Sequence, residues 1–139
     1  MELSSALDFV RARSNGVLTT QKRNGRPQLS NITYHLGDDR IVRISVAEGR
    51  AKTTNLRRDN RASLHVAQDD FWAYCVLECV VELTPVAKTP DDPTVDALVD
   101  YYRSAAGEHP DWNEYRQVMV TDERLLLLLT PTHAYGMLG

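Results

Sequence analysis

The amino-acid sequence predicts a mainly β protein, a small antiparallel β-barrel with peripheral helices. Several short apolar runs have the length and residue types of strands. Tight-turn sequences such as Asn24-Gly25 separate some of these runs and favour antiparallel neighbours. Short strands joined by tight turns are typical of small barrels. The length of 139 residues predicts one domain over residues 1–139.

The helical period recurs in a few segments. Leu3, Leu7 and Val10 form one apolar stripe at helical spacing, and this helix should end near Gly16, since glycine accepts the left-handed conformation found at helix C-termini. Asp59 follows a second, basic helix and should end it. Pro93 is a plausible start for a third, amphipathic helix. The helices after the first are predicted at residues 51–58, 94–106 and 112–119.

The strands follow from alternation and from turn residues. The turns at Asn24-Gly25 and at Gly37 predict that the first three strands form an antiparallel meander. Five consecutive leucines near the C-terminus predict a strand buried on both faces, because the run is short and Pro131 bounds it. The predicted strands are residues 16–20, 27–35, 41–46, 62–67, 72–84, 124–130 and 133–137.

The composition is that of an ordinary soluble domain, with 42% hydrophobic and 25% charged residues. No apolar run approaches the ~20 residues that a membrane span needs, and the N-terminus lacks the apolar segment of a secretory signal. We therefore expect a cytoplasmic protein without a membrane partner. Cys75 and Cys79 lie too far apart in one strand for a disulfide, and the four histidines are scattered, so no metal site is expected.

A basic cluster stands out on this chain of net charge -3. It follows a predicted strand and opens a predicted helix, whose free N–H groups and dipole would add to the side-chain charge. A phosphate clamp and a solvated helix face are both compatible with it, and charge alone favours the solvated face. The cluster is too small a footprint for nucleic acid. Its members are Arg50, Lys52, Arg57, Arg58 and Arg61.

The sequence contains no motif of a nucleophile, metal or dinucleotide site, so it singles out no catalytic residue, and reactivity would come from a bound cofactor. Gln28 and Ser30 share one face of a predicted strand and could hydrogen-bond a planar ring, or could simply form a polar outer face. Trp72 and Tyr74 could stack on a ring or pack in an interface. Tyr34, Tyr74 or bound water could supply a proton.

The order of residues resembles a known family. The runs GVLTT, GRPQLSNI, RISVAEGRAKTTNLRRDNRASL and FWAYCVLECVVELTP are similar to the pyridoxamine 5'-phosphate oxidase-like superfamily. Within it, the chain most resembles the actinobacterial branch that binds coenzyme F420, an 8-hydroxy-5-deazaflavin. The likeness covers nearly the whole chain. It implies a split β-barrel of the FMN-binding-protein type, and a homodimer with the cofactor at the subunit interface.

The resemblance also implies roles for residues. Arg50 and Lys52 match the positions that hold the cofactor phosphate, whereas the other arginines of the cluster become surface charges. Trp72 and Tyr74 would come from the second subunit and help to close the groove. The implied cofactor-binding residues are Gln28, Ser30, Asn31, Ser45, Arg50, Ala51, Lys52, Asn55, Trp72 and Tyr74.

The function expected from this resemblance is that of an F420-dependent oxidoreductase, a reductase that transfers a hydride between the deazaflavin and an unsaturated organic substrate. Two alternatives remain: an FMN-dependent enzyme of the same superfamily, and a carrier that binds F420 without catalysis. Oxidation of pyridoxamine phosphate is not expected, because the sequence ends at Gly139 without the further segment that binds that substrate's phosphate.

Overall fold

The computed structural model describes residues 1–139 and contains four α-helices and seven β-strands. All four predicted helices are present, and the mainly β class is confirmed. The helices are α1 (Leu3–Arg11), α2 (Ala51–Arg58), α3 (Pro93–Ala106) and α4 (Trp112–Thr121), and the strands are β1 (Asn15–Gln21), β2 (Pro27–Thr33), β3 (His35–Leu36), β4 (Val42–Ala47), β5 (Arg61–Ala67), β6 (Tyr74–Leu83) and β7 (Arg124–Met137).

All seven strands belong to one antiparallel sheet in the order β2-β1-β5-β6-β7-β4-β3. The sheet curls into a half-barrel whose two edge strands, β2 and β3, do not pair with each other. The barrel is therefore split along the line between these two edges.

The predicted meander of the first three strands is wrong. The predicted strand 27–35 breaks at Tyr34, and its two parts, β2 and β3, lie at opposite edges of the sheet. The Tyr34 hydroxyl donates a hydrogen bond of 2.6 Å to the carbonyl of Val10, and its N–H donates one of 2.9 Å to the carbonyl of Ser14. These two bonds tie the chain to the end of α1, so that it crosses from one edge to the other.

Two boundaries near the C-terminal half also differ from prediction. The fifth predicted strand begins at Tyr74 rather than Trp72, because Trp72 lies in a turn where its N–H donates to the carboxylate of Asp70 at 3.0 Å. The last two predicted strands are one continuous strand, β7. Pro131 lies in it where the register with β6 shifts, an irregularity at which a missing N–H is tolerated.

The leucine run confirms the prediction of a strand buried on both faces. Leu125, Leu127 and Leu129 belong to the main core inside the half-barrel, which α1 closes through Ala6, Leu7 and Val10. The alternate residues, Leu126 and Leu128, pack on the opposite face against α3 and α4 in a second apolar cluster. Alternation along one strand therefore serves two cores.

The remainder of the outer face carries no helix. We name this surface the open face: the outward side chains of β2, β1, β5, β6 and the C-terminal half of β7. One row of paired residues crosses it, and paired residues of neighbouring strands share a face. The row runs Asn31, Val17, His65, Val76 and Tyr135.

The open face also exposes apolar side chains. Leu29 is 60% exposed, Met137 55% and Tyr135 48%, and this is unusual for the face of an antiparallel sheet that meets water.

No helix of this structure is both long enough and apolar enough to span a bilayer.

Both cysteines are buried within β6 and unpaired. Burial raises the pKa of the Cys75 thiol to about 11 and that of the Cys79 thiol to about 12. Such thiols are inert core residues rather than nucleophiles.

We predict that Gly136→Ala lowers the free energy of unfolding by about 3 kcal/mol. Gly136 has φ +143°, and a Cβ there would collide with the carbonyl of Tyr74 and lie 2.7 Å from the Cα of Cys75. Both neighbours are backbone atoms of β6, which cannot rotate away. Chemical denaturation measures the loss. Gly49→Ala is the control, since a Cβ on Gly49 meets nothing within 4 Å; equal stability of the two variants would contradict the prediction.

Candidate functional site

A cleft of about 890 Å³ opens between the edge strand β2 and strand β4, beside the start of α2. We name it the central cleft. It extends along β1 to the turn that follows β5. Asn31, Ser45 and Lys52, three of the ten residues predicted to bind a cofactor, line it. The other lining residues are Asn15, Gly16, Val17, Ile32, Thr33, Ile44, His65, Ala67, Gln68, Asp69 and Phe71.

Helix α2 begins at the end of this cleft, with the predicted residue Ala51 exposed in its first turn. Arg50 is the N-cap residue, with extended backbone angles, and no side chain caps the first N–H groups of the helix. Thr53 is fully buried and its hydroxyl donates to the carbonyl of Ala47 at 2.9 Å, which holds the helix against the end of β4. The uncapped N–H groups and the helix dipole leave a positive potential at this end.

Three cationic side chains approach one another here without a carboxylate partner. Arg50, Lys52 and Arg124 take part in none of the ion pairs of the structure. The pKa of Lys52 lies below its ordinary value, mainly because of burial and further because of the positive charges of Arg50 and Arg124. The end of the cleft is therefore a local region of uncompensated positive charge, which suits an anion.

The other three cations of the basic cluster have partners. Arg57 donates from Nε to Glu48 at 3.1 Å, and Arg61 pairs with Asp59 at 2.8 Å. Arg58 donates to a backbone carbonyl of β1. Arg57 and Arg61 therefore have carboxylate partners, and Arg58 has a neutral acceptor. That only Arg50 and Lys52 of this cluster serve an anion stays a prediction.

Gln28, Ser30 and Asn55 lie in a polar network beneath α2 rather than along the central cleft. The buried Asn55 side chain donates to the Thr20 hydroxyl at 3.1 Å. Thr20, fully buried, donates to Gln28 at 3.0 Å, and Gln28 donates to Ser30 at 2.8 Å. Gln28 and Ser30 lie on the face of β2 opposite to Asn31, nearer the start of the strand than the cleft residues Ile32 and Thr33. The network fixes α2 on the β1–β2 hairpin, and a cofactor contact of these three residues stays a prediction.

The sequence matches the family model described as Pyridoxamine 5'-phosphate oxidase over residues 5–137. The chain belongs to the pyridoxamine 5'-phosphate oxidase family. The resemblance stated from the sequence is thereby confirmed at the level of the superfamily, and with it the split-barrel fold. The family is named for an oxidoreductase.

Solved structures share this fold. A conserved hypothetical protein of Mycobacterium tuberculosis aligns with a TM-score of 0.74 at 22% identity, over 99% of this chain and 85% of that one. An F420 reductase aligns with a TM-score of 0.64 at 20% identity, over 97% of each chain. The haem storage protein HutZ of Vibrio cholerae gives 0.71 at 14% identity, over 99% and 96%. These similarities establish the fold. Because one fold can host more than one function, the ligand has to be inferred from the residues of the site.

In this family member, Trp72 and Tyr74 do not line the central cleft of their own chain. Trp72 is 75% exposed in the turn before β6. Tyr74 stacks on His65 with ring centroids 5.5 Å apart, and His65 does line the cleft. Contact of Trp72 and Tyr74 with the cleft of a second subunit stays a prediction.

Among the cleft residues that sequence reasoning missed, His65 and Phe71 carry ring side chains. Alternation in β5 places His65 on the face opposite to that of Leu64 and Val66. It does not indicate that this face borders a cleft, because that depends on the non-local pairing of His65 with Val17 of β1. Phe71 takes φ +66°, rare for a bulky residue, and its N–H donates to the carbonyl of Gln68 at 2.9 Å. No sequence signal indicates this turn conformation.

Tyr34 is not an accessible proton donor. Its hydroxyl is committed to the carbonyl of Val10, the residue is 2% exposed, and burial raises its pKa well above the ordinary value. It acts as the anchor of the crossing between β2 and β3. The other tyrosine considered from the sequence, Tyr74, stacks on the cleft residue His65.

We predict that Thr20→Val lowers the free energy of unfolding by about 2 kcal/mol, because it leaves the Asn55 amide and the Gln28 carbonyl without their buried partner. The two side chains have nearly the same shape, so loss of packing contributes little. Thermal and chemical denaturation measure the change. Thr19→Val, on the opposite face of the same strand, is the matched control and should be nearly neutral. A neutral Thr20→Val would show that the network does not hold α2.

Proposed function

We propose that this protein is an F420-dependent oxidoreductase that reduces an unsaturated organic substrate. The main observation is that Arg50 and Lys52 have no carboxylate partner. They lie at the uncapped start of α2, beside a cleft of about 890 Å³. That volume is in the range of cofactor pockets. Likeness to an F420 reductase over 97% of both chains supports the choice of a deazaflavin.

The chain's own residues fit an anionic, ring-bearing cofactor. Arg50 and Lys52 would hold its phosphate through charge-assisted hydrogen bonds, with the first N–H groups of α2 beside them. Asn31 of β2 and Ser45 of β4 line the cleft from its two sides and would orient the ring. When bound, the reduced deazaflavin supplies a hydride to the substrate. The protein contributes binding, orientation and exclusion of water.

We further propose that the functional unit is a homodimer formed through the open face. The row of paired residues that begins with Asn31 and His65 at the cleft ends with Tyr135, which is 48% exposed. The central cleft and the apolar surface are therefore continuous. A second copy seated on this surface would cover Tyr135 and Met137, and it would bring the exposed Trp72 of each chain to the other.

A ligand titration tests the function. The purified protein is titrated with F420 and with FMN, followed by fluorescence and absorption, and the complex is then assayed with enones, quinones and tetrapyrroles. Binding of F420 with turnover supports the proposal. Tight binding of FMN alone would favour the FMN-dependent alternative. Binding of F420 without turnover of any acceptor would favour the carrier.

Lys52→Ala should weaken F420 binding by about 1.5–3 kcal/mol, the value of a hydrogen bond to a charged group. Equilibrium fluorescence titration measures the dissociation constant. Arg57→Ala is the matched control, because Arg57 lies on the same helix but pairs with Glu48. Equal affinities of the Lys52 and Arg57 variants for F420 would show that the start of α2 is a solvated helix face and not a phosphate site.

Tyr135→Glu should convert the dimer to a monomer, because a carboxylate in the middle of an apolar interface would be desolvated without a partner. Light scattering coupled to gel filtration gives the mass. Val118→Glu is the control, since Val118 is an exposed apolar residue of α4, away from the open face. A monomeric wild-type protein, or a Tyr135→Glu variant that stays dimeric, argues against the open face as the interface.

A further inference from the structure

Arg124 carries the one buried side-chain nitrogen or oxygen of this structure that has no hydrogen-bond partner, its Nε. A buried donor without a partner is destabilising by the free energy needed to remove it from water, and native structures contain few of them. Each such atom asks for a physical explanation. An oxygen-bearing ligand would supply the missing acceptor once the side chain turns its Nε towards the cleft.

Arg124 does not line the central cleft, but it lies next to two residues that do, Ser45 and Lys52. It is the first residue of β7 and pairs with Ala47 of β4, so its side chain shares a face with Ser45, a cleft residue two positions away on β4. Nη1 donates a long hydrogen bond of 3.5 Å to the backbone carbonyl of Ser45. The guanidinium is therefore held beside the cleft through one of its nitrogens.

The guanidinium edge formed by Nε and Nη2 is free of protein acceptors, and this type of edge binds oxyanions. With Nη1 turned to the Ser45 carbonyl, Nε and Nη2 form the other edge, and neither has a protein acceptor. Two parallel N–H groups of this kind match two oxygens of a phosphate or carboxylate, whereas a lysine offers only a point charge.

The charges around Arg124 differ from those around an arginine that stabilises a fold through an ion pair. Its charge acts on Lys52, whose pKa it lowers together with Arg50. It also acts on two tyrosines, the partly buried Tyr101 of α3 and the buried Tyr115 of α4: burial raises the pKa of both, and Arg124 opposes the rise. No carboxylate pairs with it. Without a ligand, Arg124 adds repulsion and an unsatisfied donor, so stability of the fold does not explain it.

We propose that Arg124 is the third ligand of the anion bound at the start of α2, and that it donates through Nε and Nη2 to two oxygens of one phosphate group. The inference rests on the proposed function for the source of that phosphate, the cofactor. It adds a residue from β7, more than seventy positions along the chain from Arg50 and Lys52. The same recognition would apply to a free phosphate ion.

Two ligands that differ only in the phosphate-bearing side chain test this assignment. Wild-type protein, Arg124→Lys, Arg124→Met and the control Arg57→Gln are titrated with F420 and with its chromophore lacking that side chain. We expect Arg124→Met to weaken F420 binding at least tenfold and to change chromophore binding less than twofold. Arg124→Lys should recover only part of the loss, because it restores the charge but not the fork. Arg57→Gln should bind both as the wild-type protein does.

The melting temperature of the ligand-free protein separates a binding role from a structural one. If Arg124 serves an anion, Arg124→Met melts at or above the wild-type temperature, because the variant removes cation repulsion and an unsatisfied donor. A large decrease in both the Met and the Lys variants, with F420 affinity unchanged in the Lys variant, would overturn the proposal.

Inorganic phosphate distinguishes failure of this inference from failure of the proposed function. If the wild-type protein does not bind F420 but phosphate shifts the amide signals at the start of α2, and Arg124→Met abolishes the shift, the anion site stands and the deazaflavin does not. If F420 binds equally to wild type and Arg124→Met, the function stands and Arg124 is not a ligand. If neither F420 nor phosphate binds, both are overturned.

Discussion

The site depends on the crossing of the chain at Tyr34. Two hydrogen bonds tie this residue to the end of α1, and the chain passes there from β2, at one edge of the sheet, to β3, at the other. Had the strand continued as a hairpin partner, β4 would have joined β2 and the sheet would have had no gap between them. The crossing leaves β2 and β4 unpaired with each other, and the central cleft opens between them. A buried tyrosine thus creates the space that an anionic ligand would occupy.

The charge of that space is set by partners rather than by composition. Five basic residues lie between positions 50 and 61, but those in the second half of the segment spend their donors on carboxylates and carbonyls of the protein. Arg50 and Lys52 have no such partner, and Arg124 joins them from a distant strand. Within this segment of a chain of net charge -3, the positive charge without a carboxylate partner therefore includes the start of α2, because Arg57 and Arg61 are paired.

Local patterns predicted the elements well and their neighbours less well. Helix α2 begins and ends where its sequence pattern indicates, at Ala51 and Arg58, because its limits depend on adjacent residues. The leucine run, likewise, shows its two buried faces in its composition. The crossing at Tyr34 could not be predicted, since it depends on contacts with α1 some twenty residues earlier. For the same reason the row from Asn31 to His65 was invisible: it exists only because β1 pairs with both β2 and β5.

The polar network beneath α2 and the cations above it are two parts of one arrangement. Thr20 and Asn55 are buried polar groups whose hydrogen bonds are satisfied, so they hold the helix in one position. Arg124 is a partly buried cation with a donor that is not satisfied. Polar groups whose hydrogen bonds are made within the protein stabilise the ligand-free fold. A donor without an acceptor instead favours binding of a ligand that supplies the acceptor. The rigid support of α2 therefore lets repulsion among Arg50, Lys52 and Arg124 persist instead of being relieved by movement of the helix, and this preorganised repulsion is what an incoming phosphate would relieve.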